Sequence, residues 1–316
     1  MLKNIRNKLV EYKNTNTWLL FIWNECKRIQ FSRQYSKYSD RELIQKLYFE
    51  FSGQIPEIDN PVLFSEKLQY LKLFYRDDTL TKCVDKFSVR SFVESKGYSD
   101  ILNELLQEFD NIDDFDLDSL PESFVLKGAH GSGWNLICKN KTLINWFPWK
   151  LVMKSWLKQN IYYNGREWPY KNVTPRIVIE KYLEDSDGEL KDYKFHCFHG
   201  KPLFIQINTG RFTKLASQNF YDPNWRLQPF GKDLSPNLDV EIPRPKNFHE
   251  MMKVAEDLSE EFPYVRVDLY NVSEKIIFGE LTFYPASGLP DFVPSKYDEI
   301  WGELLNITSI NINEKK

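Results

Sequence analysis

Two short segments near the C-terminus place polar side chains in strand-like alternation. Arg266 and Asp268 fall on one face of a strand because side chains alternate with a period of two, and Glu280 and Thr282 alternate in the same way. Residues 271–275 are polar and supply the reversal between the two segments. The pattern predicts an antiparallel hairpin with two carboxylates, a hydroxyl and a guanidinium on one side of a sheet.

This set of side chains suits phosphate and metal chemistry. Mg²⁺ is usually bound by one or two carboxylates together with phosphate oxygens, and arginine suits developing anionic charge. An exposed polar sheet face with a single salt bridge would show the same pattern. The hairpin alone therefore leaves both interpretations open.

A glycine-rich loop follows a second predicted strand. Residues 124–127 predict the strand, and residues 128–133 read Gly-Ala-His-Gly-Ser-Gly. Three glycines in six residues let the backbone approach a ligand closely and direct several N–H groups at one anion, with Lys127 at the base of the loop. Residues 134–138 predict a returning strand, whereas a P-loop needs a helix there and a dinucleotide fingerprint needs a βαβ unit. A flap over a triphosphate and an ordinary flexible β-turn both stay open.

Composition narrows the class of protein. A chain of 316 residues with 42% hydrophobic and 16% aromatic residues can bury a substantial core and predicts a fully folded protein. The four cysteines are scattered without metal-ligand spacing, which indicates reduced thiols in a cytosolic protein and no zinc site. A net charge of −3 argues against general nucleic-acid binding.

The N-terminal segment differs in charge from the remainder. Residues 1–40 carry a net charge of +5, from eight basic and three acidic residues, so the rest of the chain carries −8. The apolar run 18–23 is too short to span a bilayer, and we expect no signal peptide. Its basic flanks suit an anionic membrane surface, whereas a core helix packed on the domain would show the same pattern; we favour the core helix. We expect a cytoplasmic protein and leave open a peripheral contact at the inner membrane face.

The order of predicted elements indicates the fold class. We predict helices over residues 39–51, 64–74, 86–95, 145–160 and 248–262, and strands over 124–127, 134–138, 176–183 and 219–222. Besides the C-terminal hairpin, residues 192–207 predict a second hairpin that turns at residues 199–200. Residues 110–121 are predicted as an acidic loop. Strand groups mixed with helices predict an α+β fold with antiparallel sheets.

Five motifs in order resemble a known superfamily. They are Asp85-Lys86, Lys127 with its glycine loop, Glu180–Leu183, Arg266-Val-Asp268 and Glu280-Leu-Thr282, and together they resemble the ATP-grasp superfamily. The strings Phe64-Ser-Glu-Lys67, Asp85-Lys-Phe-Ser-Val-Arg90 and Asp192-Tyr-Lys194 are similar to its TupA-like branch. That branch is named for teichuronopeptide synthesis and is found among bacterial surface-polysaccharide genes. The resemblance covers residues 60–305.

The resemblance implies an ATP-grasp-like architecture in which two α+β lobes clamp ATP between antiparallel sheets. It divides the chain into four segments. These are a basic helical N-terminal region at 1–60, a helical N-terminal lobe at 61–120, a lobe with the glycine-rich flap at 121–185, and a lobe with the metal site at 186–316.

The same resemblance implies roles for individual residues. The implied ATP-binding residues are Lys86, Lys127, Gly128, His130, Gly131, Ser132, Gly133, Glu180, Lys181, Tyr182, Leu183 and Asp192. Asp268, Glu280 and Thr282 match ligands of one or two Mg²⁺ ions, although many relatives have asparagine where Thr282 stands. Arg266 is expected to steady the acyl phosphate or tetrahedral intermediate. Lys194 is expected to reach the γ-phosphate, while a surface ion pair with Asp192 would explain the same two residues.

The implied activity is an ATP- and Mg²⁺-dependent carboxylate–amine ligase that works through an acyl phosphate. The expected substrate is a small molecule or polysaccharide precursor, in which an amine or amino acid is attached to a uronic acid. Three alternatives stay open: a sugar phosphotransferase on the same fold, a nucleotide-sugar glycosyltransferase, and an inactive binding module. The Asp-x-Asp spellings that a glycosyltransferase would need lie at residues 114–118, in the acidic loop. The oligomeric state is not predicted.

Overall fold

Two antiparallel sheets, each with its own helical layer, organise the protein. The computed structural model describes residues 16–184, 190–209, 217–232, 236–239, 242–308 and 310. One sheet has four strands and the other has five. The expected α+β fold with antiparallel sheets and a helical N-terminal region is confirmed.

The N-terminal helices begin at side-chain caps. Helix α1 (Thr17–Gln30) starts at Asn16, whose side-chain oxygen accepts from two backbone N–H groups, and it continues into a π-helical turn (Phe31–Tyr35). Helix α2 (Asp40–Ser52) begins with a capping box and ends at a glycine in the left-handed conformation, as predicted.

Three further helices lead towards the first sheet. Helix α3 (Phe64–Phe74) matches its prediction, and α4 (Asp78–Val84) was not predicted. Helix α5 (Val89–Ser95) begins three residues later than predicted, because the Asp85 carboxylate accepts from the backbone of Phe87 and fixes a turn before the helix.

The first sheet contains β1 (Leu105–Phe109), β2 (Phe124–Gly128), β3 (Asn135–Cys138) and β4 (Ile177–Lys181), in the order β1-β4-β2-β3. One face packs on α6 (Trp146–Trp156), which is shorter than predicted, and α1 packs on α6 in turn. The short helix α7 (Tyr162–Gly165) follows. This face provides a separate apolar core.

The second sheet contains the C-terminal hairpin. It consists of β5 (Asp192–Phe198), β6 (Lys201–Thr209), β7 (Ser217–Tyr221), β9 (Tyr264–Val272) and β10 (Lys275–Thr282), in the order β10-β9-β5-β6-β7. Helix α8 (Phe248–Ser259) covers one face, and its apolar side chains pack on those of β5 and β9. Strands β8 (Gly231–Lys232) and β11 (Phe292–Val293) form a small third sheet before α9 (Lys296–Leu304).

The opposite face of the second sheet carries the polar side chains. Asp192, Lys194 and His196 alternate along β5, and Arg266 and Asp268 alternate along β9 beside them. The side chains that alternate with these charged and polar groups lie in the apolar core instead: Tyr193, Phe195, Cys197, Val265, Val267 and Leu269. The strand period therefore explains why all the charged groups of these two strands share one face.

Residues 1–15, which carry four of the basic residues of the N-terminal segment, lie outside the described residues. Helix α1 packs on α6, as expected for a core helix, but Trp18, Leu19 and Ile22 stay exposed. None of the helices in the described part of the chain is both long and apolar enough to cross a bilayer.

Candidate active site

The C-terminal hairpin brings its four polar side chains together. Glu280 pairs with Asp268, and Thr282 pairs with Arg266, in the strand register. The Arg266 guanidinium donates to both Asp268 carboxylate oxygens, at 2.6 and 2.8 Å, and to the Thr282 hydroxyl at 3.1 Å. Its distance to Glu280 Oε1 is 3.4 Å. The predicted cluster on one sheet face is therefore present.

A buried lysine extends this cluster along the sheet. Lys194 lies opposite Asp268 in the register and forms ion pairs with Asp268 and with Asp192, the latter at 2.7 Å. All three side chains are at least nine-tenths buried, so their mutual attraction is weakly screened. Burial acts to lower the pKa of Arg266, but the adjacent Asp268 carboxylate outweighs it and raises that pKa above its ordinary value. Asp192 and Lys194 thus form a buried network, not the surface ion pair that stayed open.

Trp134 explains two glycines of the loop. A Cβ atom at Gly131 would lie 2.5 Å from Cζ3 of the Trp134 ring, and a Cβ atom at Gly128 would lie 2.9 Å from Cε3. Gly133 has a φ of 71°, which favours glycine. The loop is therefore built around an indole ring that the glycines admit at close range.

His130 anchors the loop from behind. Its side chain is 2% exposed, Nε2 lies 2.8 Å from the Trp156 carbonyl, and Nδ1 lies 3.2 Å from the Arg176 backbone nitrogen. A neutral ring with its proton on Nε2 satisfies both contacts, and burial lowers the pKa of His130 in agreement. Both ring nitrogens are occupied by backbone groups, so the expected phosphate contact is replaced by an anchoring role.

Lys86 connects the loop with the hairpin. Its ammonium group donates to the Gly131 carbonyl at 2.7 Å and lies 4.0 Å from Glu280 Oε2. Its backbone N–H donates to the Ala129 carbonyl. Burial lowers the pKa of Lys86 despite the nearby Glu280 carboxylate. Residues from three distant parts of the chain therefore meet at one ammonium group.

Lys127 and Glu180 form an adjacent pair on the first sheet. Their side chains are 2.6 Å apart on neighbouring strands. With Lys86 they line a cavity of about 10 Å³ that also reaches Phe278 and Gly279 of the hairpin. The predicted residues converge, but the expected nucleotide-sized cleft is not open in this structure. Where the cleft was expected, Lys127 pairs with Glu180, and Lys86 lies 4.0 Å from Glu280.

At the end of β4, one side chain faces the site and the next faces the solvent. Glu180 faces Lys127, whereas the next side chain, Lys181, points away and lies 3.2 Å from Glu104 at the surface. The backbone N–H of Lys181 donates to Glu104, and its carbonyl accepts from Asn103. Tyr182 and Leu183 are half-buried beyond it. The backbone groups of Lys181 are therefore already hydrogen-bonded within the protein.

The oxygen donors of the hairpin fit Mg²⁺ chemically. Asp268, Glu280 and Thr282 offer two carboxylates and a hydroxyl on one face, the oxygen set that hard cations bind. Glu280 is the most accessible of them, with 42% of its side chain exposed, whereas Asp268 is paired with Arg266 and Lys194. Within the described ranges, no group of three His, Cys, Asp or Glu side chains forms a ready metal site.

A strained turn after β10 was not predicted as part of the site. In the turn Pro285–Gly288, Ala286 and Ser287 both adopt left-handed backbone conformations, with φ of 50° and 55°. Lys72 of α3 donates to the Ser287 carbonyl at 2.6 Å and to its hydroxyl at 2.9 Å. Burial lowers the pKa of Lys72 to about 8. Non-glycine residues rarely adopt this conformation, and such strain often marks functional segments.

Nearby half-buried groups link this turn to the hairpin. The Glu167 carboxyl lies close enough to interact with Lys72 and Ser287, and burial raises its pKa. Tyr170 lies close enough to interact electrostatically with that carboxyl and with Glu280 and Arg266. The sequence signal was the Pro-Ala-Ser-Gly segment that begins three residues after Thr282, but no local pattern indicated its buried lysine partner.

Comparison with known proteins identifies the family. The family model described as TupA-like ATPgrasp matches residues 66–306. No curated protein matches the chain.

Solved structures with similarity to the chain include two D-alanine–D-alanine ligases. The enzyme from Bacillus anthracis is 18% identical with a TM-score of 0.39, covering 67% of this chain and 59% of its own. The enzyme from Helicobacter pylori is 12% identical with a TM-score of 0.42, covering 78% and 68%. An L-amino acid ligase from Bacillus licheniformis is 13% identical with a TM-score of 0.40, covering 78% and 53%.

These structural similarities are too low to assign a function, and the chain spans less than two-thirds of the B. anthracis enzyme. The family match is of a different kind, since it extends over well more than half of the chain. It contains all five motifs of the site. The protein belongs to the TupA-like ATP-grasp family.

Proposed function

We propose that the protein is an ATP- and Mg²⁺-dependent carboxylate–amine ligase that activates its substrate as an acyl phosphate. The observation that carries the proposal is the position of Lys86, which contacts the glycine loop and faces Glu280 of the hairpin. A group held at this point can touch a phosphate chain and a metal-bound carboxylate at once. The family membership supports the same class of reaction.

The lysines would neutralise the substrate phosphates. Lys86 and Lys127 both line the small cavity and are paired with Glu280 and Glu180, respectively. A triphosphate would take over these cations, since charge-assisted contacts to phosphate oxygens are strong in a partly buried site. The paired arrangement holds both ammonium groups in place before the substrate binds.

The hairpin would hold the metal and the reacting groups. Asp268 and Glu280 would be the principal Mg²⁺ ligands, with the Thr282 hydroxyl beside them. When bound, the ion offsets negative charge on the transferring phosphoryl group. Arg266 lies within hydrogen-bond reach of Asp268 and Thr282, so its fork can stabilise an anionic intermediate at the same position.

The proposed reaction has two steps. An oxygen of the substrate carboxylate attacks the γ-phosphorus, and the bond to the β,γ-bridging oxygen breaks to release ADP. The amine then attacks the acyl carbon, inorganic phosphate leaves, and the amine loses a proton to give the amide. Acyl phosphates hydrolyse readily, so the glycine loop would serve as the lid that excludes water.

We propose a uronic acid of a capsular or cell-wall polysaccharide precursor as the carboxylate substrate, and an amino acid or another amine as its partner. The proposed setting is the bacterial cytoplasm, with a peripheral membrane contact through the basic N-terminal segment. The exposed Trp18, Leu19 and Ile22 support such a contact, because a basic helix with exposed apolar side chains suits an anionic surface.

The glycosyltransferase alternative gains no support from the acidic loop. Asp114, Asp116 and Asp118 are exposed, and Asp116 caps its own loop by accepting from the Asp118 backbone N–H. A sugar phosphotransferase would use the same lysines and hairpin, and no observation favours it over the ligase.

ADP release tests the proposal. With ATP, Mg²⁺, a uronate and an amino acid, we expect turnover and a product whose mass corresponds to an amide. Lys127→Ala and Glu280→Ala should each lower kcat/KM by at least about 100-fold, in line with the loss of a charged group that acts on the transferring phosphoryl. Lys181→Ala is the matched control, because this exposed lysine lies one residue beyond Glu180 and points away. Normal turnover by Lys127→Ala and Glu280→Ala would refute the site, and a phosphate ester as product would refute the ligase.

A further inference from the structure

A second cavity lies beside the glycine loop, away from the charged cluster. It has a volume of about 560 Å³ and is lined by α1, the loop tip and α6. On α1 the lining residues recur every three or four positions, at Thr17, Leu20, Asn24 and Lys27, so they form one helix face. Helix α1 precedes the segment that the family model matches, so this wall of the cavity is formed by residues outside the family match.

Indole rings dominate the walls of this cavity. Four of the nine tryptophans of the chain line it: Trp23, Trp134, Trp149 and Trp156. The rings of Trp134 and Trp156 are parallel within 8°, with centroids 6.3 Å apart. Ligand pockets of this size are typically aromatic with a few placed polar groups. The rings provide flat apolar surfaces on which a ligand can stack.

Two hydrogen-bond donors of this cavity lack partners. Nδ2 of Asn24 and Nε1 of Trp156 are buried with no hydrogen-bond partner among the described residues. The two residues are 7% and 1% exposed. Leaving a buried donor unpaired is unfavourable, and such groups are rare in folded proteins. Both residues line the cavity, so a ligand bound there would bring acceptor oxygens close to these two donors.

The remaining polar groups define the ligand further. Asn135, Gln159 and Asn164 add carboxamides, which both donate and accept hydrogen bonds as a hydroxyl group does. An adjoining cavity of about 350 Å³ shares Trp134, Gln159 and Asn164 and adds Arg28 and Lys158. None of the described residues that line the two cavities is acidic. A polyhydroxylated ligand with apolar faces and negative charge matches this set.

We propose that this cavity binds an acidic saccharide, with its sugar rings stacked on the indoles and its hydroxyls bonded to Asn24 and Trp156. Lys27 lines this cavity and Lys158 lines the adjoining one, and both bring positive charge to the carboxylates of the saccharide. This inference rests on the proposed function in one respect: the bound saccharide would contain the uronic acid that reacts.

The location agrees with a substrate-holding role. Ser132 and Gly133 line the cavity, and the carbonyl of the preceding Gly131 accepts from Lys86. A saccharide bound in the cavity would therefore contact the same loop that contacts the proposed phosphate-binding lysine.

Tryptophan fluorescence of the full chain, titrated with tetragalacturonate in the absence of ATP, tests the inference. We expect a saturable change in emission, and at least tenfold weaker binding of the neutral maltotetraose. Trp23→Ala and Asn24→Leu should each weaken tetragalacturonate binding by about three- to tenfold, the range expected for one stacking or hydrogen-bond contact. Trp18→Ala is the matched control, because Trp18 lies on α1 with its side chain 45% exposed and does not line the cavity.

Thermal unfolding separates a binding role from a structural one. Asn24→Leu removes an unpaired amide, so the ligand-free variant should unfold at the same temperature as the wild type or higher. Absence of tetragalacturonate binding to the wild type, equal binding by Trp23→Ala and Asn24→Leu, or an equal loss in Trp18→Ala would overturn the inference.

Turnover assays make the two proposals independently testable. Saccharide binding that depends on Trp23 and Asn24, without ADP release for any uronate and amine, would support the cavity and refute the ligase. ADP release that depends on Lys127 and Glu280, with saccharide binding unaffected in Trp23→Ala, would support the ligase and refute the cavity.

Discussion

Replacing Gly131 by alanine tests the packing of the glycine loop against Trp134. A Cβ atom at Gly131 would lie 2.5 Å from Cζ3 and 2.8 Å from Cδ2 of the indole. Displacing the ring would disturb its stacking on Trp156 and its contact with the His130 ring. Overpacking of this kind costs about 1–3 kcal/mol, so we expect Gly131→Ala to lower the free energy of unfolding by that amount.

Gly133→Ala supplies the matched control. No atom lies within 4 Å of its added Cβ, but its φ of 71° is strained for any residue with a side chain, at a cost of about 1–2 kcal/mol. Trp134→Phe removes the ring atoms that Gly131→Ala would meet. The double variant Gly131→Ala/Trp134→Phe should therefore recover part of the lost stability, whereas Trp134→Phe should not rescue Gly133→Ala.

Urea unfolding of the single and double variants measures these terms. We expect a favourable coupling between positions 131 and 134 of at least about 0.5 kcal/mol, as for residues in direct contact. Nucleotide affinity, measured with a fluorescent ATP analogue, should fall in Gly131→Ala, because a displaced loop moves the carbonyl that accepts from Lys86. Wild-type stability of Gly131→Ala, or zero coupling with Trp134→Phe, would show that the loop is not built around the indole.

Three further variants test the buried charges. Lys194→Met should lower the free energy of unfolding by about 3–5 kcal/mol, because it strips two buried carboxylates of their shared cation; urea unfolding that shows less than 1 kcal/mol would contradict the network. Burial lowers the pKa of Lys72 to about 8 in the folded state, so unfolding binds protons above that pH and the free energy of unfolding should rise from pH 8 towards pH 10. Lys72→Met should abolish this rise in urea unfolding, and the same pH dependence in the variant would contradict the burial of Lys72. Burial also lowers the pKa of His130, so its contribution to the free energy of unfolding is present above pH 6.5 and is lost as the pH falls. In urea unfolding from pH 7 to pH 5, His130→Gln should reduce this loss of stability, and an unaltered pH dependence would contradict the anchoring role of His130.

Local patterns were sufficient for the elements that carry the site. The period-two alternation of Arg266, Asp268, Glu280 and Thr282 predicted a hairpin that the structure contains in that register. Capping signals likewise placed α2 at Ser39 and its end at Gly53. In these segments the burial pattern and the local conformational preference agree, so short-range information determines the structure.

Other elements depend on contacts that no local window contains. Strand β1 was missed because it is an edge strand of five residues that pairs only with β4 and shows no clear alternation of burial. Helices α4 and α9 are short, and both are stabilised by packing on other elements. The close approach of Gly131 to Trp134 could not be inferred either, because it requires the position of an indole ring in three dimensions.

The sequence also did not predict that the charged side chains of the site pair with one another. The motifs predicted that Lys127, Lys86 and Glu280 converge, and the structure brings them together. They did not predict that carboxylates and ammonium groups would pair with one another across a cavity of about 10 Å³. His130 was assigned to the ligand side because nothing in a glycine-rich loop indicates that its histidine is 2% exposed.

A crystal structure with Mg²⁺ and a non-hydrolysable ATP analogue is the most direct test of the proposed site. We expect the triphosphate to lie between Lys86, Lys127 and the hairpin, with the Lys86–Glu280 separation increased beyond 4.0 Å as phosphate oxygens replace the ion pair. A nucleotide bound elsewhere, with Lys127 still paired with Glu180 and Lys86 still 4.0 Å from Glu280, would contradict the proposal.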